Sequence, residues 1–190
     1  MPLTLTRSLL TIILPGIVAI APWLLLLGMY SPALQDWYSQ HPFPTHVAAF
    51  AIAVTAGALF EGIGSYLECR WDLEKGTGPE PDPQKLEQNW ILRDWYKYLS
   101  HSFGAEPVGY RYLSRKVTGL YFELGMMMGS PVGAFGCAAL VCKLFPMNCW
   151  IAALLSAVAV ILGVLFHRFA RDTHEVLYET RFYLAKALTK

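Results

Sequence analysis

Residues 8–29 read SLLTIILPGIVAIAPWLLLLGM, 22 positions without a charged side chain. As a helix this run reaches about 33 Å, enough to cross a hydrocarbon core of about 30 Å. Arg7 in front of it and Ala19-Ile20-Ala21 within it give the outline of a signal peptide. The apolar run nevertheless continues through Trp23, Leu24, Leu25, Leu26 and Leu27, longer than the apolar region of such peptides. The stretch is therefore read as a retained membrane helix, with Pro15 and Pro22 as its kink points.

Three further runs follow the same logic. Residues 47–67 carry one acid, Glu61; residues 117–142 carry one acid, Glu123; residues 149–166 carry no charge. Hydrophobic residues make up 55% of the chain and charged residues 15%, against about 25% charged in a soluble domain. Mean hydropathy is +0.38. This composition excludes a disordered tail and a disulfide-stapled secreted miniprotein, and it disfavours an ordinary soluble enzyme. The alternating strands of a membrane barrel are not visible. The expected fold is all-α: a polytopic membrane protein of one membrane domain, with four transmembrane helices and cytoplasmic helical extensions.

The basic residues orient it. Arg7 precedes the first span, and residues 30–46 contain no Lys or Arg. Eight basic residues lie between spans two and three: Arg70, Lys75, Lys85, Arg93, Lys97, Arg111, Arg115 and Lys116. Five follow span four: Arg168, Arg171, Arg181, Lys186 and Lys190. With both termini and residues 70–116 inside, 14 of the 15 basic residues are cytoplasmic and only Lys143 is outside. The positive-inside rule then predicts a multi-pass protein of the inner (plasma) membrane with both termini in the cytoplasm.

The cytoplasmic insertion begins with a Gly- and Pro-rich stretch over residues 76–83, after which Asp82 and Pro83 have the form of a helix start. The helix predicted up to His101 contains Trp90, Arg93, Trp95, Tyr96, Lys97 and Tyr98. Aromatic and basic residues interleaved in this way suit a headgroup surface or a partner protein. A turn at Gly104–Pro107 precedes a helix that resumes near Tyr110 and enters span three. Residues 167–190 form an amphipathic continuation of span four, with Val176, Leu177, Thr180, Tyr183, Leu184, Ala187 and Leu188 at helical spacing.

Glu61 and Glu123 are the sharpest chemical features. Each sits six residues inside the cytoplasmic end of its span, about 9 Å deep. Glu68 follows Glu61 by two turns, and Gly57 and Gly64 share that stripe, giving a small and acidic face expected to look into the bundle. Together with His167, these acids are either interior groups held by Tyr, Arg or backbone partners, or a proton or cation pathway. An iron, manganese or zinc site drawing also on His174 and Glu175 is a third reading, without a supporting HExxH or Glu-x-x-His pattern. No metal and no cofactor is assigned.

Gly125, Gly129 and Gly133 recur every four residues in span three, the pattern that lets two helix backbones approach closely, within a chain or between copies. Cys142 and Cys149 flank the short outer loop and are candidates for a disulfide in an oxidising compartment. Asp36, Trp37, Tyr38, His41 and His46 read as an interfacial cap on the outer side. Walker A, GxGxxG and GxSxG patterns are missing, so no pump, dinucleotide enzyme or serine hydrolase is marked.

In plan, a small four-span protein with a cytoplasmic face resembles the membrane subunits of bacterial stress or anti-phage systems, including the one in Kiwa; no residue is carried over from that resemblance. The expected function is a non-enzymatic protein that self-associates through spans two and three as a membrane scaffold, sensor or pore-forming subunit. Its cytoplasmic helices would receive a signal or a protein partner. The alternative is a membrane-embedded metal- or carboxylate-dependent enzyme acting on a lipid-like substrate. Beyond the lipid bilayer, the expected partners are a second copy of the chain and a cytoplasmic protein. The net charge of +1 gives no pull toward nucleic acid.

Overall fold

The structure, a computed structural model, describes residues 7–76, 102–103, 106–146 and 149–188. Leu9–Ile13 wind as a π-helical turn that passes directly into α1 (Leu14–Tyr30). Pro15 accounts for the widening: it has no N–H to give the Thr11 carbonyl, and its ring crowds that carbonyl. The Leu14 N–H bonds instead to Leu9 O, five residues back. A short helix α2 (Pro32–Gln40) follows, capped by Ser31, whose hydroxyl oxygen accepts from the Leu34 N–H at 3.4 Å. The chain continues into α3 (Pro42–Gly76). A two-residue antiparallel pairing of β1 (Ser102–Phe103) with β2 (Glu106–Pro107) precedes α4 (Val108–Leu144). α5 (Cys149–Leu188) is the longest helix, at 40 residues.

The architecture is thus helical, and four helices are long and apolar enough to cross a membrane: Leu9–Tyr30, Pro42–Gly76, Arg111–Leu144 and Trp150–Leu184. α4 lies at the centre, packing against α1, α3 and, most extensively, α5, while α1 also packs on α3.

The glycines explain how α1 sits so close. A methyl group added at Gly129 would lie 2.7 Å from Pro15 O, one at Gly125 2.9 Å from Pro15 Cγ, and one at Gly136 2.9 Å from Pro22 Cβ. Gly133 is closed off by the Val18 backbone and Gly57, on α3, by the Ile12 backbone. The four-residue glycine spacing of α4 is therefore occupied within one chain, by the proline-bearing first helix. Gly64 faces Leu124 of α4, whose Cβ would lie 3.1 Å from an added methyl group. Farther along α4, Pro131 leaves the Met127 carbonyl without its helical donor, and Gly163 of α5 packs here: a methyl group added to it would lie 3.0 Å from Pro131 Cγ and 3.6 Å from Met127 O.

The densest core lies toward the end of the bundle where α3 terminates. Trp71, Leu120, Leu124 and Ala170 are buried together, with Leu67 and Met127 packed on them. A second cluster, Tyr183 and Leu184 with Tyr112, Leu113 and Phe182, joins the far half of α5 to the start of α4. Elsewhere large apolar side chains face outward, as with Leu25 at 64% exposure, Leu59 at 63% and Val160 at 58%.

At the opposite end, Trp37 stacks edge-on with His41 at 4.3 Å, Tyr38 with His46 at 5.5 Å, and Lys143 Nζ lies 4.2 Å over the Tyr30 ring. Cys142 is an exposed free thiol, and the side chain of Cys149 lies outside the described residues. The aromatic and basic group Trp90, Arg93, Trp95, Tyr96 and Tyr98 lies outside them as well.

Candidate functional site

Where α3 ends, its last two turns meet the second half of α5 in a clasp of charged and aromatic side chains. Glu68, Trp71, Asp72 and Lys75 fall at three- and four-residue spacing, which keeps them on one side of α3. On α5 the partners His167, His174 and Arg181 recur every seven residues, two helical turns, on one face. Side chains this far along both helices are past the apolar segments, so charged groups can be half wet while the stems and rings pack.

His174 is the most deeply buried member of the clasp. Its side chain is 3% exposed, and Nε2 lies 2.8 Å from Asp72 Oδ1, the ring N–H donating to the carboxylate. Trp71 stands edge-on between two imidazoles, its ring centroid 5.7 Å from that of His167 and 5.4 Å from that of His174. Arg181 bridges two carboxylates, with Nη2 3.4 Å from Glu68 Oε1 and Nη1 3.9 Å from Asp72 Oδ2. Lys75 Nζ meets Glu175 Oε1 at 2.6 Å on the outer edge. That ammonium, donating a hydrogen bond and adding its charge, holds the Glu175 carboxyl below the usual glutamate range. Between these groups lies an open cleft of about 250 Å³ lined by Trp71, Glu74, Lys75, Arg171, His174 and Glu175.

The four polar residues singled out from the sequence divide between different surroundings. Glu68 and His167 belong to the clasp or its rim. Glu61, half-buried, acts electrostatically on Tyr121 of α4, as does Glu68. Glu123 is turned instead to α5, where its carboxyl group meets Thr173, with Lys116 and Asp172 nearby. Its Oε2 is buried and has no hydrogen-bond partner among the described residues. Tyr121 and Glu123 are two residues apart, about 200° around the helix, so the two acids occupy opposite sides of α4. Their equal depth along the sequence does not make them one site.

Asp72 and Arg181, central to the clasp, are not among the site residues expected from the sequence, where Arg181 counts only toward orientation and His174 only as a metal ligand. The seven-residue recurrence of His167, His174 and Arg181 was the available signal for them. Among the described residues no three His, Cys, Asp or Glu side chains converge in a way that would hold a metal ion.

A second feature is a seam rather than a pocket. Along the outward side of α3, Ala48, Ala51, Thr55, Ala58, Gly62, Ser65 and Cys69 follow one another at alternating three- and four-residue steps, and every one is exposed. A methyl group added at Gly62 would meet nothing within 4 Å. The outward line of α5 at comparable spacing holds Leu154, Val158, Ile161 and Leu165, all large.

No protein-family model, no curated protein and no solved structure matches this chain.

Proposed function

We propose that the chain is a multi-pass protein of the inner membrane, with both termini and residues 70–116 cytoplasmic, acting without enzymatic chemistry as a self-associating scaffold or sensor subunit. Four helices of sufficient length and apolarity, together with 14 of 15 basic residues on one side, support the membrane placement. The observation that carries self-association is the outward seam of α3. Lipid-facing positions have no need of small residues, as the large side chains on α5 illustrate. An unbroken alternation of three- and four-residue steps is the spacing of two helices crossing at a shallow left-handed angle. Small residues there let backbones approach, and two copies in one membrane present the seam to each other by two-fold symmetry. The α4 glycines, already covered by α1, contribute to the single chain instead.

In this reading the insertion that leaves α3 at Gly76 receives a signal or protein partner. The clasp just before it carries the change to α5 and to the seam. This is the part that the membrane component of a bacterial stress or anti-phage defence system would play. A pore lined by rings of both acids has less support, because Glu123 is turned to Thr173 within the chain.

Cys69 at the end of the seam supplies the test. In membranes holding a variant whose only cysteine is Cys69, mild oxidation is expected to give a disulfide dimer, since Cα atoms must lie within about 7 Å. Gly62→Leu is expected to abolish that dimer. Absence of the dimer, with a monomer at every concentration in native mass spectrometry, would overturn the reading.

The enzyme alternative draws on one observation, the buried His174 bound to Asp72 at the wall of a cleft, an arrangement that orients a general base. Turnover of phospholipids by the purified protein, lost in His174→Gln, would favour it.

A further inference from the structure

We propose that the carboxyl group of Glu61 accepts a hydrogen bond from the Tyr66 hydroxyl of a second copy of this chain, once on each side of the two-fold axis, and so sets the register of the α3 pair. The proposal rests on the seam reading above for the presence of the second copy, and on the residues beside the seam for the contact.

The steps of the seam assign its positions. Ala48, Thr55, Gly62 and Cys69 recur every seven residues, with Ala51, Ala58 and Ser65 three residues after the first three of them. These are the a and d positions of a heptad, and they determine what flanks them. Val47, Val54 and Glu61 hold the g positions, each just before an a residue. Ile52, Leu59 and Tyr66 hold the e positions, each just after a d residue. The e residues form a ridge of large side chains beside the small ones, exposed by 48%, 63% and 68%.

Two copies in one membrane run parallel, and in a parallel pair the g residue of one helix meets the following e residue of the other. In register, Val47 meets the partner's Ile52, Val54 the partner's Leu59, and Glu61 the partner's Tyr66. The apolar pairs fall in the outer and middle parts of the span and the polar pair near its cytoplasmic end. A shift by one heptad would give Glu61 the partner's Leu59 or Leu73, neither of which has a donor. Glu68, the next g residue, is already held within its own chain by Arg181 at 3.4 Å. The acid and the phenol therefore select one register.

Neither group is satisfied within its own chain. Among the described residues Glu61 forms no hydrogen bond and no ion pair, acting on Tyr121 through its charge alone, and Tyr66 forms neither. Glu61 is only half-buried, and Gly62 beside it faces open space. An ionisable side chain about 9 Å inside the span is costly against hydrocarbon, and a hydrogen-bonding partner relieves that cost. Tyr66 lies five residues farther along α3, a rise of about 7.5 Å. Side chains on a helix lean toward its N-terminus, which carries the phenol back toward the depth of Glu61. The small residues of the seam let the backbones come close enough for the two side chains to meet.

The test uses the full chain with a fluorophore at one terminus, reconstituted in phosphatidylcholine vesicles over a series of protein-to-lipid ratios, so that energy transfer gives the dimer dissociation constant. Tyr66→Phe is expected to raise that constant about tenfold, the loss of two hydrogen bonds of the size found between membrane helices. Glu61→Leu is expected to raise it similarly, and Tyr66→Phe to add little on top of Glu61→Leu. Glu61→Gln, whose amide oxygen still accepts from the phenol, is expected to stay within about twofold of the native chain. Circular dichroism of each variant checks its fold. A geometric arm replaces the native cysteines and mixes one chain carrying Glu61→Cys with another carrying Tyr66→Cys. A short bifunctional maleimide is expected to join these two chains more readily than it joins two copies of the Glu61→Cys chain. A dissociation constant indifferent to Tyr66→Phe, independent effects of Tyr66→Phe and Glu61→Leu, or preferred joining of the two Glu61→Cys copies overturns the contact while the seam stands. Energy transfer in the native chain no greater than random mixing gives overturns the seam, and the contact with it.

Discussion

The Nε2 atom of His174 lies 2.8 Å from Oδ1 of Asp72, two residues 102 positions apart in the chain. The imidazole is almost fully enclosed, so the carboxylate is what satisfies its ring N–H, and the pair ties the end of α3 to the middle of α5.

Removing that acceptor leaves a buried donor without a partner, which costs about 1–3 kcal/mol. Asp72 is itself 42% exposed, so its own desolvation adds little. Asp72→Ala is therefore expected to lower the thermal midpoint in detergent measurably. Asp72→Asn, whose side-chain oxygen still accepts from the ring, is expected to retain most of the stability. Equal loss in the two variants would point to packing rather than to the hydrogen bond.

Lys75 and Glu175 form the outer contact of the clasp, and both are substantially exposed, at 42% and 53%. Such pairs contribute about 0–1 kcal/mol. Because the Glu175 carboxyl is held below its ordinary value in the folded chain, its contribution is present above the unfolded pKa of about 4.3. It is lost as the pH falls through the lower folded value. The difference in midpoint between the native chain and Glu175→Gln is expected to be small at neutral pH and to vanish in acid. It should also shrink as salt screens the pair. A difference that survived acid would mean that Glu175 acts other than by its charge.

Two glycines separate internal packing from association. An added methyl at Gly129 approaches the Pro15 carbonyl oxygen to 2.7 Å, and backbone gives way poorly, so Gly129→Ala is expected to destabilise the single chain by about 1–3 kcal/mol. Gly62 has open space around it. Gly62→Leu is expected to leave the thermal midpoint of the detergent-dispersed monomer within about 0.5 kcal/mol of wild type, as a surface change does, while removing the Cys69 cross-link. If both variants behaved alike, the division between the two faces would be wrong.

The four apolar helices were legible because length and lack of charge are local properties, readable at residues 8–29 without knowing any neighbour. The glycines of α4 were legible as a close contact, but not as a contact with Pro15 and Val18, since that depends on the path taken by α1. Glu61 and Glu123 matched in depth, yet depth says nothing about rotation around α4, and Tyr121 and Thr173 separate them. The small residues from Ala48 to Cys69 stand out only once burial shows which side of α3 is uncovered. The spacing of His167, His174 and Arg181 was visible all along, while Asp72, its partner across the fold, is an ordinary acid until α3 and α5 are brought together.

Arg181 offers the last separation, between a clasp that merely sits at the surface and one that holds the helices. Its guanidinium lies 3.4 Å from Glu68, whose side chain is 11% exposed, and 3.9 Å from Asp72. Arg181→Met leaves the Glu68 carboxylate enclosed without its counter-charge, a loss of about 1–3 kcal/mol or more for a charged group. Glu68→Gln removes the charge and keeps the shape, so the double variant is expected to be less destabilised than the sum of the single variants. A double-mutant cycle on thermal or denaturant unfolding measures this coupling. A coupling energy near zero would place Arg181 with the exposed surface pairs, and the α3–α5 contact would then rest on His174, Trp71 and their neighbours alone.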